Sequence, residues 1–196
     1  MKLRPLLYGL LAFLIPALAF AESRNDVSSS GLKSTVILII RHAEEPDGGD
    51  GLSSVGEARA NAYTNYFKNF TIDDQQIKLD HMFAAADSHS SHRPRLTLEP
   101  TAKELGLKID TQFKNKEYLE LVDKIKKNPG GANILICWHH GNIPELLRAL
   151  GVDTEKLLPK DRWPGHVFNW LIELRYDGDG NLHESKRIDE KLLPED

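Results

Sequence analysis

The chain has 196 residues, 28% of them charged, a formal net charge of −4 and one cysteine. That balance excludes the global basic field of a nucleic-acid binder, and the single cysteine excludes an internal disulfide framework. Any anionic ligand must therefore be held by local charge.

Lys2 and Arg4 precede an apolar run from Leu6 to Phe20, and Ala19-Phe20-Ala21 fits the small-x-small cleavage rule, so residues 1–21 read as a secretory signal peptide. Pro16 interrupts the run, which is shorter than the roughly 20 residues a comfortable membrane span needs. Residues 22–33, rich in Ser, Asn and Gly, read as a flexible leader. Cleavage leaves about 175 residues, enough for one domain over 34–196 and too few for two. The expected location is periplasmic or secreted, with membrane contact only through the signal peptide.

Residues 34–44 form an aliphatic, β-branched run that ends in Arg41-His42-Ala43-Glu44, the pattern of a strand buried on both faces inside a parallel sheet. Ligands of open α/β sheets bind beyond the carboxyl ends of the strands, and a guanidinium beside an imidazole there suits an anion. Residues 45–51 follow as a Pro- and Gly-rich loop, which by position is expected to shape specificity. A helix then opens at Leu52-Ser53-Ser54-Val55-Gly56-Glu57, with Ser54 and Glu57 spaced as a capping box and with Ala58, Ala62, Tyr66 and Phe67, and Tyr63 and Phe70 nearby, as its inner face.

A second strand is expected near Leu79 to Ala86, followed by a loop dense in His, Ser and Arg and a helix from Leu98 to Leu105; Leu107 to Asp110 suits a short additional strand. Tyr118, Leu121, Val122 and Ile125 mark an amphipathic helix over 116–127, which Asn128-Pro129-Gly130-Gly131 stops. Ala132 to Trp138 repeats the first strand and ends in His139-His140-Gly141-Asn142, with a helix after it from Ile143 to Leu150. If that strand runs through the histidines, alternation sends only one of them into a pocket. A hairpin closes the chain, with strands His166 to Tyr176 and Leu182 to Ile188 around an acidic turn; Leu182 and Ile188 stand where a calcium loop needs Gly and Glu. Cys137, Trp138, Trp163 and Trp170 read as packing residues.

Four features in this order resemble the histidine phosphatase superfamily, the phosphoglycerate mutase-like fold. Arg41-His42-Ala43-Glu44 matches its RHxE signature, and Leu52 to Ala60 its L-[ST]-x-x-G-x-x-[RQ]-A helix opening. Arg93-Pro94-Arg95-Leu96-Thr97 matches R-x-x-x-T, and His140-Gly141-Asn142 the second histidine at a strand end; Arg95 and His139 are the alternatives for those two positions. The resemblance implies an α/β sandwich with a mostly parallel central sheet between helices, and a phosphatase acting on phosphate monoesters. His42 would be the nucleophile that forms a phosphohistidine. Arg41 and Arg93 would be planar forks on the phosphoryl oxygens, with His140 as a further donor and Asn142 beside it as a substrate contact. This chemistry requires no metal or other cofactor, and the partner it implies is a small phosphorylated substrate or a phosphorylated envelope component.

The proton donor is the open position. Gly141 follows the second histidine where acid phosphatase relatives carry an aspartate, and mutase-like relatives point instead to Glu117 or Glu120. The short chain lacks the long capping insertions of larger relatives, so a shallow, accessible pocket is expected. Competing readings are a non-catalytic phosphate-ligand binding protein on the same fold, a metal binder using His89, His92, His139 and His140, and a mutase, which would need a more closed site.

Overall fold

The computed structural model describes residues 30–196; residues 1–21 and most of the leader therefore lie outside the described residues. In chain order the elements are β1 (Val36–Arg41), α1 (Ser54–Lys68), β2 (Thr71–Ile72), β3 (Gln75–Gln76), β4 (His81–Ala84), α2 (Arg93–Leu105) and β5 (Ile109–Asp110). They continue with α3 (Tyr118–Lys126), β6 (Asn133–Trp138), α4 (Ile143–Ala149), β7 (Trp170–Tyr176) and β8 (Leu182–Asp189). A 3-10 turn at Ser30–Leu32 buries Leu32 and extends the packed domain upstream of residue 34.

Six strands make one sheet in the order β5-β4-β6-β1-β7-β8. Strands β1, β4, β5 and β6 run parallel, while β7 and β8 add an antiparallel edge. Along β1, Ile37 and Ile39 pack into the core shared with α3 and α4, whereas Leu38 and Ile40 pack into the core shared with α1 and α2. Strand β6 divides in the same way, Ile134, Ile136 and Trp138 against Leu135 and Cys137. Each buried aliphatic side chain contributes about 1.5–3 kcal/mol relative to exposure. Two adjacent strands apolar on both faces therefore fix the centre of a three-layer α/β/α sandwich.

Four expectations are corrected. The helix cap is Ser53 rather than Ser54: its side chain accepts the Gly56 N–H at 3.1 Å. The buried face differs as well: Gly56, Arg59, Ala60, Tyr63 and Phe67 are buried while Ala58 is exposed. Helix α2 starts at Arg93, five residues early, because Pro94 suits the first turn of a helix and Thr97 is drawn into it by bonding back to Arg93 O at 2.8 Å. A small hairpin of β2 and β3 precedes the second strand; its turn residues Asp73 and Asp74 take φ of 50° and 62°. Carboxylate side chains tolerate that left-handed region, but the Asn-Gly signal that usually marks such a turn is absent.

Register places the site. Arg41 lies opposite Trp138 and Ala84 opposite Cys137, so β1, β6 and β4 end at one level. The pairing continues one step further, with the His42 N–H donating to Trp138 O at 3.0 Å.

Candidate active site

Arg41 ends β1 completely buried. Its Nη1 donates to Gly165 O at 2.7 Å and Val167 O at 3.1 Å, and its guanidinium carbon lies 3.7 Å from the centre of the Phe168 ring. The remaining donors, Nε and Nη2, have no hydrogen-bond partner. Burial lowers the Arg41 pKa to about 10, against the raising influence of Glu45 and Glu44, so the group is cationic at neutral pH. A buried cation with two idle donors is costly to maintain and is a natural seat for an anion.

His42 is 2% exposed, and its Nδ1 lies 2.8 Å from Ala43 O. A carbonyl only accepts, so Nδ1 carries the hydrogen and the lone pair is on Nε2. Burial, with Arg41, His139 and Arg93 acting in the same sense, lowers the His42 pKa to about 3 and keeps the ring neutral. Ala43 is in turn held by its N–H donating to Thr97 Oγ1 at 2.9 Å, which gives the threonine of R-x-x-x-T a positioning task.

Arg93 approaches from α2. Its Nε donates to Gly51 O at 3.1 Å and its Nη2 to Gly49 O at 2.8 Å, while Nη1 sits 3.0 Å from Glu45 Oε2. The loop over residues 45–51 is thus wrapped around this arginine. Arg95, the alternative, points elsewhere and is paired with Asp87 and Glu99. Of the two, only Arg93 is among the charges acting on His42 and His139.

Both histidines after β6 lie near His42, though they open onto different cavities. The strand ends at Trp138, so strict alternation stops there, and ring centres lie 5.2 Å (His139) and 6.4 Å (His140) from that of His42. His139 and Arg93 line the same cavity of about 610 Å³; His140 lines another, of about 500 Å³, beside α4 and the 160–163 segment. Burial lowers both pKa values, that of His139 to about 4. Asn142 stands at the N-cap position of α4 without a side-chain cap bond, its amide donating to Asn115 O at 3.4 Å. Glu117 lines the larger cavity, though its Oε2 already accepts the Lys114 N–H at 2.9 Å, and Glu120 is exposed on α3. The cavity beside Arg93 and His139 is roomy, but His42 itself is recessed beneath the rings of His139, His140 and Phe168. Among the described residues, no three His, Cys, Asp or Glu side chains are grouped to hold a metal.

The other signature residues build a clamp. Glu44 accepts from Arg59 Nε at 2.9 Å and Nη2 at 2.7 Å, and Arg59 also donates to Asp196 from Nη1 at 3.0 Å and Nη2 at 2.6 Å. Glu44 O accepts the Ser53 N–H at 2.9 Å, and a Cβ on Gly56 would stand 2.3 Å from that same oxygen. The glycine of the helix-opening motif is therefore required by close approach to the RHxE turn. Sequence reasoning missed three participants: Phe168, Glu45 and Asp196. Only Glu45, a second acid directly after the signature, left a readable signal.

No family model matches the sequence, and no curated protein matches it either. Solved structures do. The Agrobacterium tumefaciens protein assigned as the phosphohistidine phosphatase SixA is 18% identical, with 78% of this chain and 97% of that one covered at a TM-score of 0.50. Phosphoglycerate mutase from Plasmodium falciparum is 15% identical, covering 78% and 90% at 0.51. Phosphoglycerate mutase from Bacillus anthracis is 14% identical, covering 81% and 95% at 0.50. With the six-stranded sheet, these likenesses identify the architecture of the chain as the phosphoglycerate mutase-like fold.

Proposed function

We propose that this chain is a phosphatase that hydrolyses phosphate monoesters through a phosphohistidine on His42. The observation that carries the reading is the pairing of a buried Arg41, with Nε and Nη2 unpartnered, and a neutral His42 whose tautomer is set by Ala43 O. A transferring phosphoryl group spreads charge over three oxygens, so catalysis depends chiefly on fixed positive donors and an aligned nucleophile. Arg41 supplies a fork through Nε and Nη2, and Arg93 a further charged donor through Nη1. His42 Nε2 attacks phosphorus, and His139 and His140 become stronger donors once an anion raises their pKa. Charge neutralisation is thereby assigned to protein groups, and the reading requires no metal.

Hydrolysis of p-nitrophenyl phosphate in the presence of a chelator tests it, with His42→Ala as control. Turnover lost in that variant, with phosphohistidine trapped on the wild type, supports the reading; turnover unchanged by the substitution overturns it. The recessed position of His42 favours a second reading, a binding protein for phosphorylated ligands. Phosphate or vanadate binding without turnover or phosphohistidine would select that one. Export belongs to the same proposal: mature protein beginning at Glu22 in a periplasmic or secreted fraction would support it and would place small phosphorylated compounds or envelope components among the substrates.

A further inference from the structure

We propose that Glu45 is the proton donor to the leaving oxygen, and that the substrates are accordingly alkyl phosphate monoesters, whose departing alcohols require that proton. This rests on the phosphatase reading above.

The geometry begins one residue earlier. Glu44 is turned into the fold, its carboxylate held by Arg59 and its backbone fixed against Ser53 and Gly56. Pro46 restricts Glu45 to extended backbone, and neighbouring side chains of an extended chain face opposite ways. An anchored Glu44 thus projects Glu45 toward the phosphate side. There its Oε2 lies 3.0 Å from Arg93 Nη1, and its charge acts on Arg41, His139 and His140.

Three other carboxylates are engaged elsewhere. Asp87 is paired with Arg95, Asp50 lies 3.5 Å from His92, and Glu117 accepts the Lys114 N–H. Arg93 commits Nε and Nη2 to loop carbonyls, so an arriving phosphoryl group competes with Glu45 for Nη1. The Glu45 side chain is 45% exposed, and an ion pair of that kind is easily opened. Displaced from Arg93 but still beside it, the carboxyl faces the phosphoryl group and the oxygen through which it is esterified. A neighbouring like charge is the condition under which a carboxyl holds a proton.

In the first step His42 Nε2 forms the bond to phosphorus and the bond from phosphorus to the alkoxyl oxygen breaks. Its electron pair takes the Glu45 proton, releasing the alcohol. In the second, the Glu45 carboxylate accepts a proton from water as that water's oxygen attacks phosphorus. The P–N bond breaks, Nε2 recovers its lone pair, and inorganic phosphate leaves with Glu45 protonated again.

The test compares wild type and Glu45→Gln on two esters, p-nitrophenyl phosphate, whose phenolate departs without help, and glycerol 3-phosphate, whose alkoxide does not. General-acid contributions are about 10²–10⁴-fold. The kcat ratio between the two esters is expected to shift by about 10² or more against glycerol 3-phosphate in the variant. Thermal melting checks that the isosteric variant is folded. Equal losses on both esters, or no loss on glycerol 3-phosphate, overturn the role of Glu45 while leaving the phosphatase reading intact. A wild type that turns over neither ester, or a His42→Ala variant as active as wild type, overturns both.

Discussion

Arg41 and Arg59 are both buried, at 0% and 2% exposure, and both flank the RHxE turn, but their hydrogen bonds differ. All three nitrogens of Arg59 donate to Glu44 or Asp196, whereas Arg41 spends one nitrogen on loop carbonyls and leaves two without partners. A buried donor without a partner costs about 1–3 kcal/mol, more when charged. The fold therefore has a region that is electrostatically closed next to one that is open, and the open one is where an anion gains most. The closed side holds Glu44, and through it the backbone that carries the open side.

The largest expected effect is on the closed side. Arg59→Met leaves Glu44 and Asp196 without their cation, and breaking such a buried pair costs about 3–5 kcal/mol. Against a total stability of about 5–15 kcal/mol, the variant is expected to unfold at much lower urea. A loss below about 1 kcal/mol would break the comparison, since Arg59 would then be no clamp. Next comes Arg41→Met, which retains the volume and removes the open cation. Loss of one such donor lowers kcat about 10²–10³-fold. Stability in urea is expected to stay level or rise, because the idle donors go with the charge; destabilisation as large as that of Arg59→Met would make Arg41 structural.

The difference between these arginines also marks what could be read in the sequence. Arg41, His42 and Arg93 could be found because strand ends and spacing identify them, and β1 and β6 could be found because both are aliphatic without interruption. Arg59 was visible only as a motif letter; nothing in a helical pattern announces a buried arginine, since its partners Glu44 and Asp196 lie 15 and 137 residues away. Phe168 was missed for the same reason, its contact with Arg41 being tertiary. For the two histidines after β6, alternation applied only if the strand ran through them; β6 ends at Trp138, and both rings lie near His42 while lining different cavities. The short β2–β3 hairpin was missed because two aspartates at its turn give no helix or strand periodicity.

Acid should weaken the open side. The unfolded chain protonates His42 near the ordinary 6.5, while the folded chain resists to about 3, chiefly through burial. Between those values the unfolded state binds more protons, so stability falls as pH drops from about 6.5 towards 3 and levels off below. His42→Asn is expected to flatten that slope in urea titrations at successive pH values. A slope unchanged by the substitution would mean that other groups, His139 among them, carry the acid sensitivity.

A last effect sharpens the closed side, which is not closed completely. Glu190 lies there as a third carboxyl, accepting the Tyr63 O–H at 2.9 Å but none of the Arg59 hydrogens, and its Oε1 has no partner. Burial, the largest influence, pushes its pKa up to about 8 although Tyr63 and Arg59 pull the other way. The folded chain then keeps a proton that the unfolded chain gives up near 4.5, so stability falls as pH rises from about 4.5 to 8 and is flat above. This is opposite in sign to the histidine effect. Glu190→Gln imitates the protonated form, and is expected to match wild type near pH 4.5 and to gain on it steadily as pH rises to about 8. A variant less stable than wild type at pH 8 would mean that Glu190 is ionised in the fold and draws on Arg59 after all, making the clamp a three-carboxylate cluster.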